Sequence, residues 1–209
     1  NAFLVRGEKT ALVDTVKASF FPEMFSRIES IMNPADIDYL IVNHAEMDHS
    51  GAIPLFMERV PDVQLIATDN CIKALERHYR QDLPIQKVRT GDELSLGNKA
   101  LQFLEAYMLH WPDSMFTYLK EDCILMPNDG FGQHYASYQR FDDENSLETL
   151  MEEAAKYFGN ILMPLAPLIP PLLKKVKKME IPIEMVAPSH GIIWRSYADK
   201  IIQAYIDWS

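Results

Sequence analysis

The sequence predicts a layered α/β fold. Short apolar runs alternate with amphipathic stretches along the chain, the pattern of strands and helices packed in layers. Nearly half of the 209 residues are apolar (48%), enough for a sizeable core, and the charged share (24%) is ordinary for a folded chain. No stretch reads as a linker, so a single domain spanning 1–209 is expected.

The elements follow in order. Phe3–Val5 and Ala11–Val13 flank Arg6-Gly7-Glu8-Lys9 and predict a β-hairpin. Between Pro22 and Met32, the side chains of Met24, Phe25, Ile28 and Ile31 share one helical face. Tyr39–Val42 predicts a buried strand, Gly51 to Val60 a helix and Val63–Ala67 a strand. A helix is expected from Asp69 to Tyr79, with Asp69 as its N-cap. Leu101–Leu104, Phe116–Leu119 and Ile124–Met126 read as strands, and Ser146 to Phe158 as an amphipathic helix. Ile183–Val186 and Tyr197–Ile206 supply a last strand and helix. The longest apolar run, Ile161 to Leu173, is too short to span a membrane and carries Pro164, Pro167, Pro170 and Pro171. It predicts a buried or interface segment.

Charge and cysteine usage narrow the function. A net charge of −10 disfavours nucleic acid or an anionic membrane as partner. Lys174, Lys175, Lys177 and Lys178 read as a solvated helix face. Cys71 and Cys123 stand far apart and outside any paired motif, which predicts two small buried thiols and a cytoplasmic location. No signal peptide is visible. The chain opens on Asn1 and runs straight into a strand, so a truncated N-terminal edge is expected.

The chemistry concentrates in His44-Ala45-Glu46-Met47-Asp48-His49, which follows the Tyr39–Val42 strand. Neither strand nor helix periodicity would converge His44, Glu46, Asp48 and His49, so a loop folding them round two neighbouring metals is expected. His110, Asp129 and His190 each come just past an apolar strand, where sites of layered α/β folds collect. Strand ends meeting at one sheet edge would unite all seven. His134, close after Asp129, is a candidate for orienting a ligand by a hydrogen bond. His78 lies in a charged helix and reads as surface. Four imidazoles and three carboxylates without a thiolate suit iron or manganese better than a sulfur-rich zinc site. Three carboxylates also nearly balance two ferrous ions.

This pattern resembles the metallo-β-lactamase superfamily, whose usual signature has His at the place of Glu46. With Glu46, and with His110-Trp111-Pro112-Asp113-Ser114-Met115, Asn128-Asp129-Gly130-Phe131-Gly132-Gln133-His134 and Ser189-His190-Gly191, it resembles the flavodiiron proteins. The resemblance covers essentially the whole chain in order and spacing. It implies an αββα sandwich with the site at one edge of the two sheets. It implies that His44, Glu46 and His110 hold one iron and Asp48, His49 and His190 the other. Asp129 would bridge the two, with a hydroxide or water as second bridge. Trp111 and Tyr157 would stand behind the ligands. The implied reaction is reduction of dioxygen to water or of nitric oxide to nitrous oxide. Electrons would come from FMN on a flavodoxin-like domain, absent from this chain, of the partner subunit in a head-to-tail homodimer. Rubredoxin or a reductase would be the donor. Two departures stand out: Gly130 replaces a common Ala, and Tyr157-Phe158 falls where members often carry a pocket tyrosine, so Phe at that position would remove a proton donor. Two other readings are a diiron oxygen-sensing domain without FMN and a zinc-dependent hydrolase of the same superfamily.

Overall fold

Alternation of apolar side chains builds the layers. The computed structural model describes residues 1–80, 82–179 and 181–209. Strands β1 (Phe3–Arg6) and β2 (Thr10–Val13) form the expected antiparallel hairpin, with Phe3 opposite Val13. After α1 (Phe21–Glu29) come β3 (Tyr39–Val42), the one-turn α2 (Met47–Ser50), α3 (Ile53–Arg59), β4 (Gln64–Thr68), α4 (Asp69–Tyr79) and β5 (Ile85–Val88). These five strands form one sheet in chain order, parallel from β2 onward. Next come β6 (Glu93–Ser95), β7 (Ala100–Glu105), β8 (Met115–Leu119), β9 (Ile124–Met126), α5 (Leu147–Tyr157), α6 (Ile169–Lys178), β10 (Met185–Val186) and α7 (Ala198–Asp207). The second sheet runs β10-β9-β8-β7-β6, antiparallel except for β9 with β10.

Strands β2, β3 and β8 are buried on both faces, so they read as apolar runs rather than as strict alternation. Tyr39 and Ile41 of β3 face Phe103, Met115 and Met126 across the gap between the sheets. Leu40 and Val42 point the other way, into a core shared with Met24, Ile28, Phe56 and Leu75 of α1, α3 and α4. On the far side Phe116 and Tyr118 of β8 pack with Leu150, Ile169, Ile201 and Tyr205 of α5, α6 and α7. The architecture is thus an αββα sandwich. Each fully buried aliphatic or aromatic side chain contributes roughly 1.5–3 kcal/mol.

Several elements differ from expectation for physical reasons. The N-cap of α4 is Thr68, whose hydroxyl accepts from the Cys71 N–H at 3.2 Å; Asp69 is already in the first turn and pairs with Lys73 and Lys87. Strands β5 and β6 lie at sheet edges and carry Gln86, Lys87 and Glu93 on exposed positions, so no apolar run announces them. The last strand shortens to Met185–Val186, pairing with Ile124 and Leu125 of the short β9. The Pro-rich run becomes a π turn (Phe158–Leu162), a 3-10 segment (Met163–Leu168) and the start of α6. It buries Leu162, Ala166 and Ile169 while Met163 and Leu168 face solvent. Cys71 is buried as expected, whereas Cys123 is only half-buried.

Asp142 anchors the last helix. It is fully buried, and its carboxylate accepts from the N–H groups of Arg195, Ser196 and Tyr197, which lead into α7. Asp142→Ala is expected to destabilise the domain by roughly 1.5–3 kcal/mol, because buried donors lose a charged acceptor. The neighbouring Asp143–Arg195 pair is exposed, so Asp143→Ala should leave stability nearly unchanged. Urea denaturation midpoints of the two variants check both expectations.

Candidate metal centre

Seven polar side chains meet where the two sheets end. β3 leads into His44, Glu46, Asp48 and His49 from the first sheet. The second sheet supplies His110 after β7, Asp129 after β9 and His190 after β10. The site therefore lies between the ends of two sheets rather than at one sheet's edge. Of the 44–49 group, His44 and Glu46 sit in a loop, whereas Asp48 and His49 stand on the single turn of α2, which rotates them away from the first pair.

The side chains form two groups around one carboxylate. His44 Nε2 and His110 Nε2 lie 3.3 and 3.4 Å from Glu46 Oε2. His190 Nε2 and His49 Nε2 lie 3.4 and 3.5 Å from Asp48 Oδ2. Asp129 stands between them. Its Oδ2 is 3.4 Å from His110 Nε2 and 3.7 Å from His44 Nε2, while its Oδ1 is 2.9 Å from His190 Nε2 and 3.2 Å from His49 Nε2. The donor atoms of His44, Glu46, His110 and Asp129 lie within 4.8 Å of one another, and so do those of Asp48, His49 and His190. Asp48 Oδ1, His49 Nε2 and Asp129 Oδ2 are buried without a hydrogen-bond partner. Such orphaned atoms cost about 1–3 kcal/mol each, and cations would satisfy all three. The residues fit a pair of divalent cations.

The electrostatics agree with that fit. Burial alone would pull His44 towards neutrality, but the carboxylates of Asp113 and Glu46 push its pKa up to about 10. His190, also opposed by burial, is pushed to about 9 by Asp129 and Asp48. Burial opposes ionisation of Asp48 too, yet His190 and His49 bring it down to about 2. Asp129 is held well below the ordinary carboxylate range, against its burial, by His110, His190 and His49. Without cations, protons on His44 and His190 take their place.

The supporting residues sort unevenly. Tyr157, at the end of α5, donates its hydroxyl to Asp129 Oδ1 at 3.2 Å, and burial followed by the Asp129 charge pushes its pKa far up, so it stays protonated. Phe158 faces away, against Tyr205 and Trp208, so of the two it is the tyrosine that faces the site. Trp111 sets its ring edge against His44 at 5.2 Å. His134 is exposed and, among the described residues, makes no hydrogen bond to the seven; it meets Tyr157 and His190 by ring edges only. His78 is exposed. At Gly132 a Cβ would lie 3.1 Å from the Asp129 carbonyl oxygen and 3.2 Å from Tyr157 Cζ, so a larger residue would press on Asp129 and Tyr157 by a few tenths of an ångström. At Gly130 a Cβ would come within 3.3 Å of the Pro127 carbonyl, so alanine would fit with a small adjustment.

Sequence reading missed the buried acids behind the site. Asp113 Oδ2 accepts from His44 Nδ1 at 3.0 Å and from the Ala45 N–H at 2.7 Å. Asp14, at the end of β2 with φ of 59°, accepts from the Asn43 N–H at 2.8 Å and from Asn128 Nδ2 at 3.0 Å. It thereby ties together the residues that precede His44 and Asp129. Asp113 stood within the quoted His110–Met115 segment, but its partner lies 69 positions away.

With this geometry established, comparison with known proteins places the chain. It matches the family described as ODP family beta lactamase over residues 1–191. The chain belongs to that family. Over its whole length this ODP-family chain is 48% identical to a nitric oxide reductase of Moorella thermoacetica, of which it covers 53%. Its fold is similar to the rubredoxin oxygen:oxidoreductase of Desulfovibrio gigas, with a TM-score of 0.96 and 37% identity over 99% of this chain and 52% of that one. It is also similar to the flavodiiron protein of Giardia intestinalis, with a TM-score of 0.94 and 31% identity over 100% of this chain and 51% of that one. The chain spans about half the length of each of these proteins. The expected resemblance to the flavodiiron core is borne out in fold and family.

Cation uptake by this family member should be tightly linked to pH. Cations need unprotonated imidazole nitrogens, and the metal-free protein holds protons on His44 and His190 up to pH 9–10. Apparent affinity is therefore expected to rise steadily from pH 6 to pH 9, with protons released on binding, as read by chelator competition at stepped pH. The raised pKa values of His44 and His190 stabilise the metal-free fold below about pH 6.5, the ordinary histidine value. That contribution fades as pH climbs through 9–10, so the metal-free protein should melt earlier at pH 10 than at pH 7.

Proposed function

We propose that this domain is the non-haem diiron core of a flavodiiron-type reductase, which reduces nitric oxide to nitrous oxide, dioxygen to water, or both. The observation that carries the reading is Asp129, which turns one oxygen to His44 and His110 and the other to His49 and His190. In this reading His44, Glu46 and His110 hold one iron, Asp48, His49 and His190 the other, and Asp129 bridges. The donor set of nitrogen and oxygen without sulfur suits iron. When bound, the iron pair supplies the electrons and Lewis acidity that the reduction needs.

The chain's own residues divide the remaining work. Glu46 is the most open of the seven, its side chain 39% exposed, so gas and electrons arrive from its side. His44, His49 and Asp129 are almost fully buried and keep water from the opposite side. Tyr157 keeps its proton and holds it at Asp129 Oδ1, where it orients the bridge. The names of the relatives support both gases: the Moorella protein is a nitric oxide reductase and the Desulfovibrio protein an oxygen oxidoreductase. The proposal extends to FMN on a flavodoxin-like domain of a partner subunit in a head-to-tail homodimer, with rubredoxin or a reductase as donor. A cytoplasmic setting is part of the same reading; among the described residues no helix is long and apolar enough to cross a membrane.

Metal analysis after anaerobic purification from iron-rich medium tests the assignment. Close to two irons per chain are expected, falling below one in Asp129→Ala, with iron lost also in Glu46→His. With an artificial reductant the domain by itself should consume either gas only slowly. Zinc with little iron in the unmodified chain would overturn the reading.

A further inference from the structure

The two halves of the centre are not supported alike. His44 is fully buried, and its Nδ1 meets Asp113 Oδ2 at 3.0 Å. The same oxygen accepts the Ala45 N–H at 2.7 Å, so one carboxylate oxygen fixes both the ring and the backbone beside it. Asp113 is itself 2% exposed. Its carbonyl accepts from Thr68 Oγ1 at 3.2 Å, and the Pro112 carbonyl accepts from Asn70 Nδ2 at 2.8 Å, which anchors the loop to the β4–α4 junction. Among the described residues, no carboxylate is hydrogen-bonded to Nδ1 of His49, His110 or His190.

We propose that Asp113 is a positioning residue that makes the two metal positions unequal. With a cation bound, it holds His44 as the Nδ1–H tautomer, so that Nε2, on the side of Glu46 and Asp129, is the nitrogen left to ligate. Only a ring nitrogen that carries hydrogen can donate to a carboxylate, and the other nitrogen is then free to bind a cation. A carboxylate on the remote nitrogen also makes the imidazole a stronger donor. The cation on the side of His44, Glu46 and His110 is therefore the more firmly held of the two. This inference rests on the two-metal reading above.

Zinc, being diamagnetic and redox-silent, separates the two claims. The chain is loaded with zinc, release to a chelator is followed over time, and the imidazole N–H protons are observed by NMR. The unmodified chain should hold two equivalents and show a protected Nδ1–H signal from His44. In Asp113→Ala that signal should vanish and one equivalent should leave about 10–100-fold faster, the other at its original rate. In Asp113→Asn the amide oxygen can still accept both bonds, so the signal should persist and release should be intermediate. This variant also keeps the test alive if Asp113→Ala does not fold. Unchanged release in both variants, or equal acceleration of both equivalents, overturns the inference and leaves the two-metal reading standing. Fewer than two zincs in the unmodified chain would instead defeat the two-metal reading, and this inference with it.

Discussion

A carboxylate buried between two pairs of imidazoles is the constraint around which this domain is arranged. Asp129 is 2% exposed, and an ion at that depth is tolerated only where opposite charge and hydrogen bonds surround it. Here four ring nitrogens converge on its two oxygens, and Tyr157 donates a hydroxyl as well. The four histidines come from strand ends in two different sheets, so the carboxylate keeps its environment only while both sheets hold their relative position.

A polar seam between the sheets helps maintain that position. Asp14 from the first sheet bonds both Asn43, at the end of β3, and Asn128, after β9 of the second sheet. Asn43 Oδ1 in turn accepts from Thr117 of β8 at 2.6 Å. Thr15 caps the arrangement by donating to the His49 carbonyl through both its N–H and its hydroxyl. Directional bonds of this kind specify one register where an apolar seam would permit several. The apolar layers supply most of the stability; the seam sets where the candidate ligands stand.

The same layout separates access from containment. Glu46, His190 and Asp48 are partly open, while Asp129, His49 and His44 form a closed floor. The π turn that begins at Phe158 divides neighbouring aromatics between two tasks. Tyr157 closes the helix towards the candidate metal centre, and Phe158 enters the core beside Tyr205 and Trp208. In the proposed reductase, a neutral hydroxyl and a buried bridging carboxylate lie opposite the side on which electrons and gas enter.

Much of this was legible in the sequence, because the relevant signals are local. The β3 strand, the hairpin, α4 and α5 follow from apolar runs and turn residues within a few positions of each other. The dense group at 44–49 marks a metal-binding chemistry by composition alone, and the recurrence of His or Asp just after a strand extends it to His110, Asp129 and His190. Edge strands β5 and β6 were not legible, since an edge is defined by which neighbours are missing. Nor was the choice between Tyr157 and Phe158, which turns on the rotation of a single π turn. The roles of Asp113 and Asp14 depend on partners up to 69 and 114 positions away. The sequence by itself determined the layers and the identities of the candidate ligands, because hydrophobic periodicity and side-chain chemistry act at short range. Only the tertiary structure decided how Asp129 is shared, which acid orients His44 and which face of the site is open, because those depend on distances between segments that meet only when the two sheets pack.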